Sequence, residues 1–206
     1  ARAESTGDVQ GEGRVDLAAL VREVAEEWVL PAAQKHLELD FEAPAGGVPV
    51  FGNAFLLREM VSNLIDNAIR YTPATAAAPG QIHVRVMDVR VPPHLSRTGD
   101  GALVKQTDRW AVLEVEDTGI GLSADEAELV FERFYRVNDA TTSGSGLGLP
   151  IVREIAFYHH GSATLVPNAQ MMKDGRGVTA RVRLPLYVQA PASGIRPYRP
   201  PLMPGV

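Results

Sequence analysis

NAFLLREMVSNLIDNAIRYTP, residues Asn53 to Pro73, carries Glu59, Asn63 and Asn67 at successive four-residue steps. At about 100° per residue these three and Arg70 fall within one quadrant of a helix. Leu57, Met60, Val61, Leu64 and Ala68 take the opposite side. The spacing predicts an amphipathic helix whose polar face is built from carboxamides. Asn53 is its candidate N-cap, because its side chain can accept from the first free amides. Pro73 ends it by disfavouring helical geometry at Thr72. Lys, Glu or Gln would solvate a polar face and favour the helix better than Asn. Alone, the helix reads as a core element with a solvated face, and the two carboxamides gain a role only from what lies downstream.

The 206 residues are 45% hydrophobic, enough for one substantial core, so a single domain with tails is expected. A formal charge of -5 argues against a general nucleic-acid or anionic-membrane binder, which needs a basic excess. Anionic ligands must then meet local features. The chain has no cysteine, which removes disulfide and thiolate chemistry and points to a reducing compartment, the cytoplasm. No apolar run reaches the ~18 residues that span a bilayer. No leader pattern opens the chain, and direct membrane insertion is not expected.

Working outward, residues 1–15 read as a linker, 16–186 as the domain, and the proline-rich stretch 187–206 as a tail. DLAALVREVAEEWVLPAAQKH, capped by Asp16, predicts a helix, and LELDFEA a half-buried strand. IHVRVMDVRV and WAVLEVED, Trp110 to Asp117, alternate as partner strands. Between them Pro92 to Asp108 is turn-rich and reads as a mobile surface hairpin or loop. SADEAELVFERF predicts a short acidic helix with Ser123 and Glu126 as a capping box. PIVREIAFYHHG reads as a helix with proline in its first turn and Gly161 at its end. SATLVPN and GVTARVRLPL pair as the last strands.

Three stretches concentrate chemistry. Asp117-Thr118-Gly119-Ile120-Gly121 places an acid at a strand end with glycines that allow close backbone approach. Such a carboxylate could read an exocyclic amine, although the same pattern also closes ordinary tight turns. Gly144-Ser145-Gly146-Leu147-Gly148 runs into a helix start, where clustered N–H groups and the dipole suit phosphate, although glycine clusters also form plain loops. Phe131-Glu132-Arg133-Phe134-Tyr135-Arg136 offers two cations for a terminal phosphate or, equally, aromatics for the core. No GxxxxGK[ST] occurs. The five histidines show no metal-binding spacing.

The ordered set, an Asn-bearing helix, DxGxG after a strand, FERFYR and GSGLGL before a helix, closely resembles the catalytic ATP-binding domain of bacterial sensor histidine kinases. These belong to the wider ATPase group of gyrase, Hsp90 and MutL. The resemblance covers residues 16–186 and implies an α+β, two-layer sandwich (the Bergerat fold), a mixed sheet covered on one face by helices. It implies ATP and Mg2+ as ligands. Asn63 would coordinate the metal, Asn67 and Arg70 would contact phosphate oxygens, and Tyr71 would lie against the nucleotide. Glu59 matches a base or water-orienting position. Asp117 would bind the adenine amine in a pocket shaped by Gly119 and Gly121. Gly144, Ser145, Gly146, Leu147 and Gly148 would close on the phosphates under a lid from Val137 to Ser145. That lid holds no Lys or Arg, which leaves Arg133 or Arg136 for the terminal phosphate.

Where the family often has Gly-Thr near the end, this chain has Gly177-Val178, so the hydroxyl supporting Asp117 is either missing or supplied by Thr179. No histidine here is followed by an acid, the setting of the family's phosphoacceptor. The resemblance therefore implies the catalytic part of a larger membrane-bound receptor kinase, cut just after its dimerisation helices. Its partners would be those phosphoacceptor helices and a response regulator receiver domain. The alternatives are a serine kinase or ATPase of the same superfamily, and a nucleotide-binding regulatory module that transfers nothing.

Overall fold

The structure, a computed structural model, describes residues 11–90, 94–97, 103–106, 109–136, 146–167 and 177–188. In chain order the elements are β1 (Glu12–Asp16), α1 (Leu17–Gln34), β2 (Leu37–Glu42), β3 (Pro49–Asn53) and α2 (Ala54–Tyr71). Next come β4 (Gly80–Arg90), β5 (His94–Arg97), β6 (Leu103–Gln106), β7 (Arg109–Asp117) and α3 (Glu126–Leu129). The last are α4 (Gly148–Tyr158), β8 (Ser162–Pro167) and β9 (Val178–Pro185).

Helix α2 has the boundaries and faces that its spacing predicts. The Asn53 side chain accepts from the Phe55 and Leu56 amides at 2.9 and 3.2 Å, and helical geometry ends at Thr72. Asp16 caps α1 in the same way, accepting from Ala18 N at 3.0 Å. The same oxygen takes the Val48 amide at 3.0 Å, which ties the start of α1 to the loop before β3. Trp28 Nε1 donates to Ser62 Oγ at 3.3 Å and pins α1 to α2.

Five strands form the main sheet in the order β2-β4-β7-β9-β8. β2 and β4 run parallel, and the other neighbours antiparallel. Alternation divides the sheet into two faces. Ile82, Val84, Val86, Leu113, Val115, Val182 and Leu184 are buried with the apolar sides of α1, α2 and α4 in one core. Each such side chain contributes about 1.5–3 kcal/mol on burial. On the other face the Glu114 carboxylate takes Arg181 Nε at 2.7 Å and Arg85 Nη1 at 3.2 Å. This is the mixed sheet with helices on one face that the resemblance implies.

Two strands are additions to the sequence reading. β1 pairs antiparallel with β3 in a small separate sheet, so strand structure begins inside the stretch read as a linker. Each is five residues long and contains a glycine, too short and irregular for alternation to mark it. The insertion after β4 carries a hairpin, β5 against β6. α3 is only four residues, shorter than expected, although Ser123 and Glu126 do exchange their capping bonds, with Ser123 N donating to Glu126 Oε2 at 2.9 Å. At the end of α4 the left-handed residue is His160, at φ 58°, not Gly161. Gly161 is required for another reason: a Cβ there would lie 2.1 Å from the Arg183 carbonyl oxygen.

Candidate functional site

One cleft opens beside the polar side of α2, floored by β7, β8 and β9 and bounded by the turn after β7, by Tyr135 and Arg136, and by the start of α4. At one end stands Asp117. Its Oδ1 accepts from Gly119 N at 2.8 Å, and the Val178 amide also donates to its carboxylate. Burial nevertheless pushes the carboxyl up to about 6, a rise that these two bonds oppose and neighbouring Glu116 assists. The glycine after it is dictated by packing: a Cβ on Gly119 would sit 2.4 Å from the Tyr71 carbonyl oxygen and 2.7 Å from Asp117 Oδ1. Ile120 N donates to that same carbonyl at 3.1 Å, so the DTGIG turn is laced to the end of α2. Gly121 takes a φ of 77°, which favours glycine. Leu64, Ala68, Val115, Leu165, Val178 and Ala180 give the walls here an apolar lining.

Thr179 does not stand in for the hydroxyl expected beside Asp117. The register sets Val178 opposite Asp117 and Thr179 opposite Glu116, on the sheet's other face. Backbone amides do the holding.

At the other end Asn63 Nδ2 donates to the Glu59 carbonyl at 2.9 Å. That bond fixes the orientation of the amide and leaves Oδ1 as the atom near Gly148, where an added Cβ would lie 3.2 Å from Asn63 Oδ1 and 3.2 Å from Asn67 Nδ2. Asn67 Nδ2 is buried and has no hydrogen-bond partner among the described residues. Leaving such a donor unmet costs about 1–3 kcal/mol, so it calls for an acceptor beyond the described residues. Arg70 Nη2 contacts Asp66 Oδ2 at 2.5 Å, and both residues line the cleft with Tyr71. Gly146, at φ 67°, accepts from Phe134 N at 3.0 Å, tying the FERFYR segment to the glycines. Gly148 opens α4, whose first amides lack intrahelical partners and suit an anion.

The cleft thus brings together Asn63, Asn67, Arg70, Tyr71, Asp117, Gly121, Arg136, Gly146 and Gly148. Gly119 supports it from behind. Glu59, Arg133 and Leu147 are not among its lining residues, and Arg133 lies on the surface 3.6 Å from Glu154. Gly144, Ser145 and the lid expected from Val137 to Ser145 lie outside the described residues. Asp66 and Tyr135 were not legible as site residues, nor were the apolar walls, which alternate like any core strand. The arrangement suits an elongated ligand with an amine-bearing apolar end and an anionic end. Asn63 Oδ1 supplies one hard oxygen of the kind Mg2+ takes when phosphates and waters complete its shell.

The profile of the histidine kinase-, DNA gyrase B- and HSP90-like ATPase family matches residues 52–188. The chain is 36% identical over 171 residues to the sensor histidine kinase RppB of Synechocystis, covering 82% of this chain and 32% of that protein. It is 37% identical over 173 residues to the sensor protein kinase PmrB of Pseudomonas aeruginosa, covering 83% of this chain and 30% of that protein. It therefore spans about a third of the length of these relatives. In fold it is like the mycobacterial sensor histidine kinase MprB, with a TM-score of 0.66 and 24% identity over 85% of this chain and 97% of that one. The chain belongs to the histidine kinase-, DNA gyrase B- and HSP90-like ATPases, as an ATP-binding catalytic domain of the sensor histidine kinase branch.

Proposed function

We propose that this domain holds MgATP in the cleft and transfers its γ-phosphoryl group to a histidine on a partner helix pair, for relay to an aspartate of a response regulator receiver domain. The observation that carries this is Asn67 Nδ2, a buried donor without an acceptor among the described residues, beside the Asn63 carboxamide and a glycine-opened helix. In this reading Asp117 accepts from the adenine amine, Tyr71 covers the base, and Asn67 and Arg70 donate to phosphate oxygens. Gly144, Ser145, Gly146, Leu147 and Gly148 approach those oxygens with backbone amides. Asn63 Oδ1 holds the Mg2+, which when bound supplies charge neutralisation at the phosphates. Arg136, on the cleft wall, faces the terminal phosphate, with Arg133 as a surface cation behind it. Glu59 lies one turn beyond Asn63 and takes the base role when the helix pair closes that end. The domain would work on the cytoplasmic side of a membrane receptor. Among its described residues no helix is long and apolar enough to cross a membrane.

Thermal stability with and without MgATP tests binding. A ligand at a hundredfold its dissociation constant adds ~2.7 kcal/mol, so wild type should shift upward and Asn67→Ala should not. Equal absence of a shift in both would sink the reading. Labelled ATP with separately prepared phosphoacceptor helices tests transfer, since a kinase leaves acid-labile phosphohistidine and a binding module leaves none.

A further inference from the structure

The apolar sides of α4 and α2 pack in one core, and at each end of α4 a further contact ties it to the α2 segment. At its start Gly148 lies against Asn63 and Asn67. At its end stands His159, only 5% exposed. Its Nε2 accepts from the Asn53 amide at 3.0 Å, and its Nδ1 donates to the Ile155 carbonyl at 2.7 Å. These partners admit one form, the neutral imidazole protonated on Nδ1. Gly52 belongs to the same joint, because a Cβ there would lie 2.1 Å from His159 Cδ2. Asn63 follows Asn53 by ten residues and His159 follows Gly148 by eleven, about 15 and 16 Å of helix. The two contacts therefore span matched lengths on antiparallel helices, and α4 cannot slide along α2 without breaking the Asn53–His159 bond.

We propose that His159 is a positioning residue for the nucleotide site. Its Nε2 fixes the axial register of α4 on α2, and so the placing of the glycine-bearing helix start against the Asn63–Asn67 pair. This rests on the MgATP reading of the cleft. A histidine that merely stabilised the core would affect every ligand alike. One that sets register acts on the phosphate end and spares the Asp117 end, which is built on the β7 turn and β9.

Amide substitutions separate the two ring nitrogens. His159→Gln can bring Oε1 to the place of Nε2 and accept from Asn53. His159→Asn keeps a donor near the Ile155 carbonyl and leaves the Asn53 amide unmet. Titrations of MgATP and of adenosine are compared for wild type and both variants, at a temperature where circular dichroism shows each folded. His159→Gln should stay within about threefold of wild type for MgATP, and His159→Asn should bind it roughly tenfold more weakly. Adenosine affinity should be unchanged in both. Equal MgATP affinity in all three proteins, or parallel losses for adenosine and MgATP, overturns the proposal and leaves the cleft reading standing. If wild type binds no MgATP, the cleft reading falls and this inference with it. Should His159→Asn not fold, Gly52→Ala displaces the ring from the other side, and the same two titrations decide.

Discussion

Asp117 carries its charge into a cleft that strips water from it, and its two amide donors only partly compensate. Its carboxyl titrates at about 6 in the folded chain against 3.8 ordinarily, so the fold favours the protonated form. The stability this group lends is fully present below about pH 4 and is lost as pH rises through 6. Asp117→Asn keeps an acceptor for Gly119 N and removes that loss. At neutral pH the ligand-free variant should be more stable by about 1–3 kcal/mol, allowing for solvent in the cleft, and the difference should vanish near pH 4. Denaturant titrations across that range measure it. Nucleotide reverses the sign: an amine donor favours the ionised carboxylate, so wild-type affinity should fall as pH drops below 6, relative to the flatter profile of the weaker-binding Asn variant. Asn67 offers a companion test. Asn67→Ala deletes an unmet donor and inserts a better helix former, so the ligand-free protein should keep or gain up to ~1 kcal/mol while MgATP binding is lost. A structural asparagine would instead lose stability in the same melt.

Two glycines set different constraints on the elements that carry them. Gly119 binds the β7 turn to the end of α2, and any side chain there meets backbone at 2.4 Å, so Gly119→Ala should destabilise by about 1–3 kcal/mol or more. Gly148 is helical and meets only side chains, at 3.2 Å. Gly148→Ala should therefore change stability by less than about 1 kcal/mol yet, on the proposed MgATP reading, cut MgATP affinity at least about tenfold, because its methyl enters the space beside the carboxamides where that reading puts the phosphates. Melting curves and calorimetry on the two variants separate these effects. The same contrast shows what the sequence could disclose about elements. The limits of α2 were legible because Asn53 and Pro73 act locally, and its apolar side because periodicity reports angle around an axis. Periodicity does not report distance along that axis. Glu59 shares a quadrant with Asn63 and Asn67 but lies about 6 and 12 Å before them, beyond the cleft lining. The pairing of β1 with β3 depends on residues some forty apart and left no local pattern. The walls Val115, Leu165, Val178 and Ala180 become a site only when three strands meet, and the His159 joint needs α4 folded against β3.

Across the whole molecule, the proposed function makes binding and transfer separable, because Glu59 is not among the residues that line the cleft. Asn63, Asn67, Arg70 and Asp117 lie together on one side of the core, and in the proposed function the acceptor histidine belongs to the partner helix pair. Among the described residues Glu59 reaches the cleft through its backbone carbonyl, which orients the Asn63 amide. In the proposed function its carboxylate serves the docked helix pair. Glu59→Gln preserves the backbone contact and helix propensity, so the orientation of the Asn63 amide should survive and MgATP affinity should stay within about twofold of wild type. Phosphohistidine formation on added phosphoacceptor helices should drop by roughly 10²–10⁴-fold, the usual worth of a positioned base. Calorimetry on the domain alone and labelled transfer to the helices measure the two quantities independently. Loss of binding would place the Glu59 carboxylate in the nucleotide site itself, and unchanged transfer would take the base role from it.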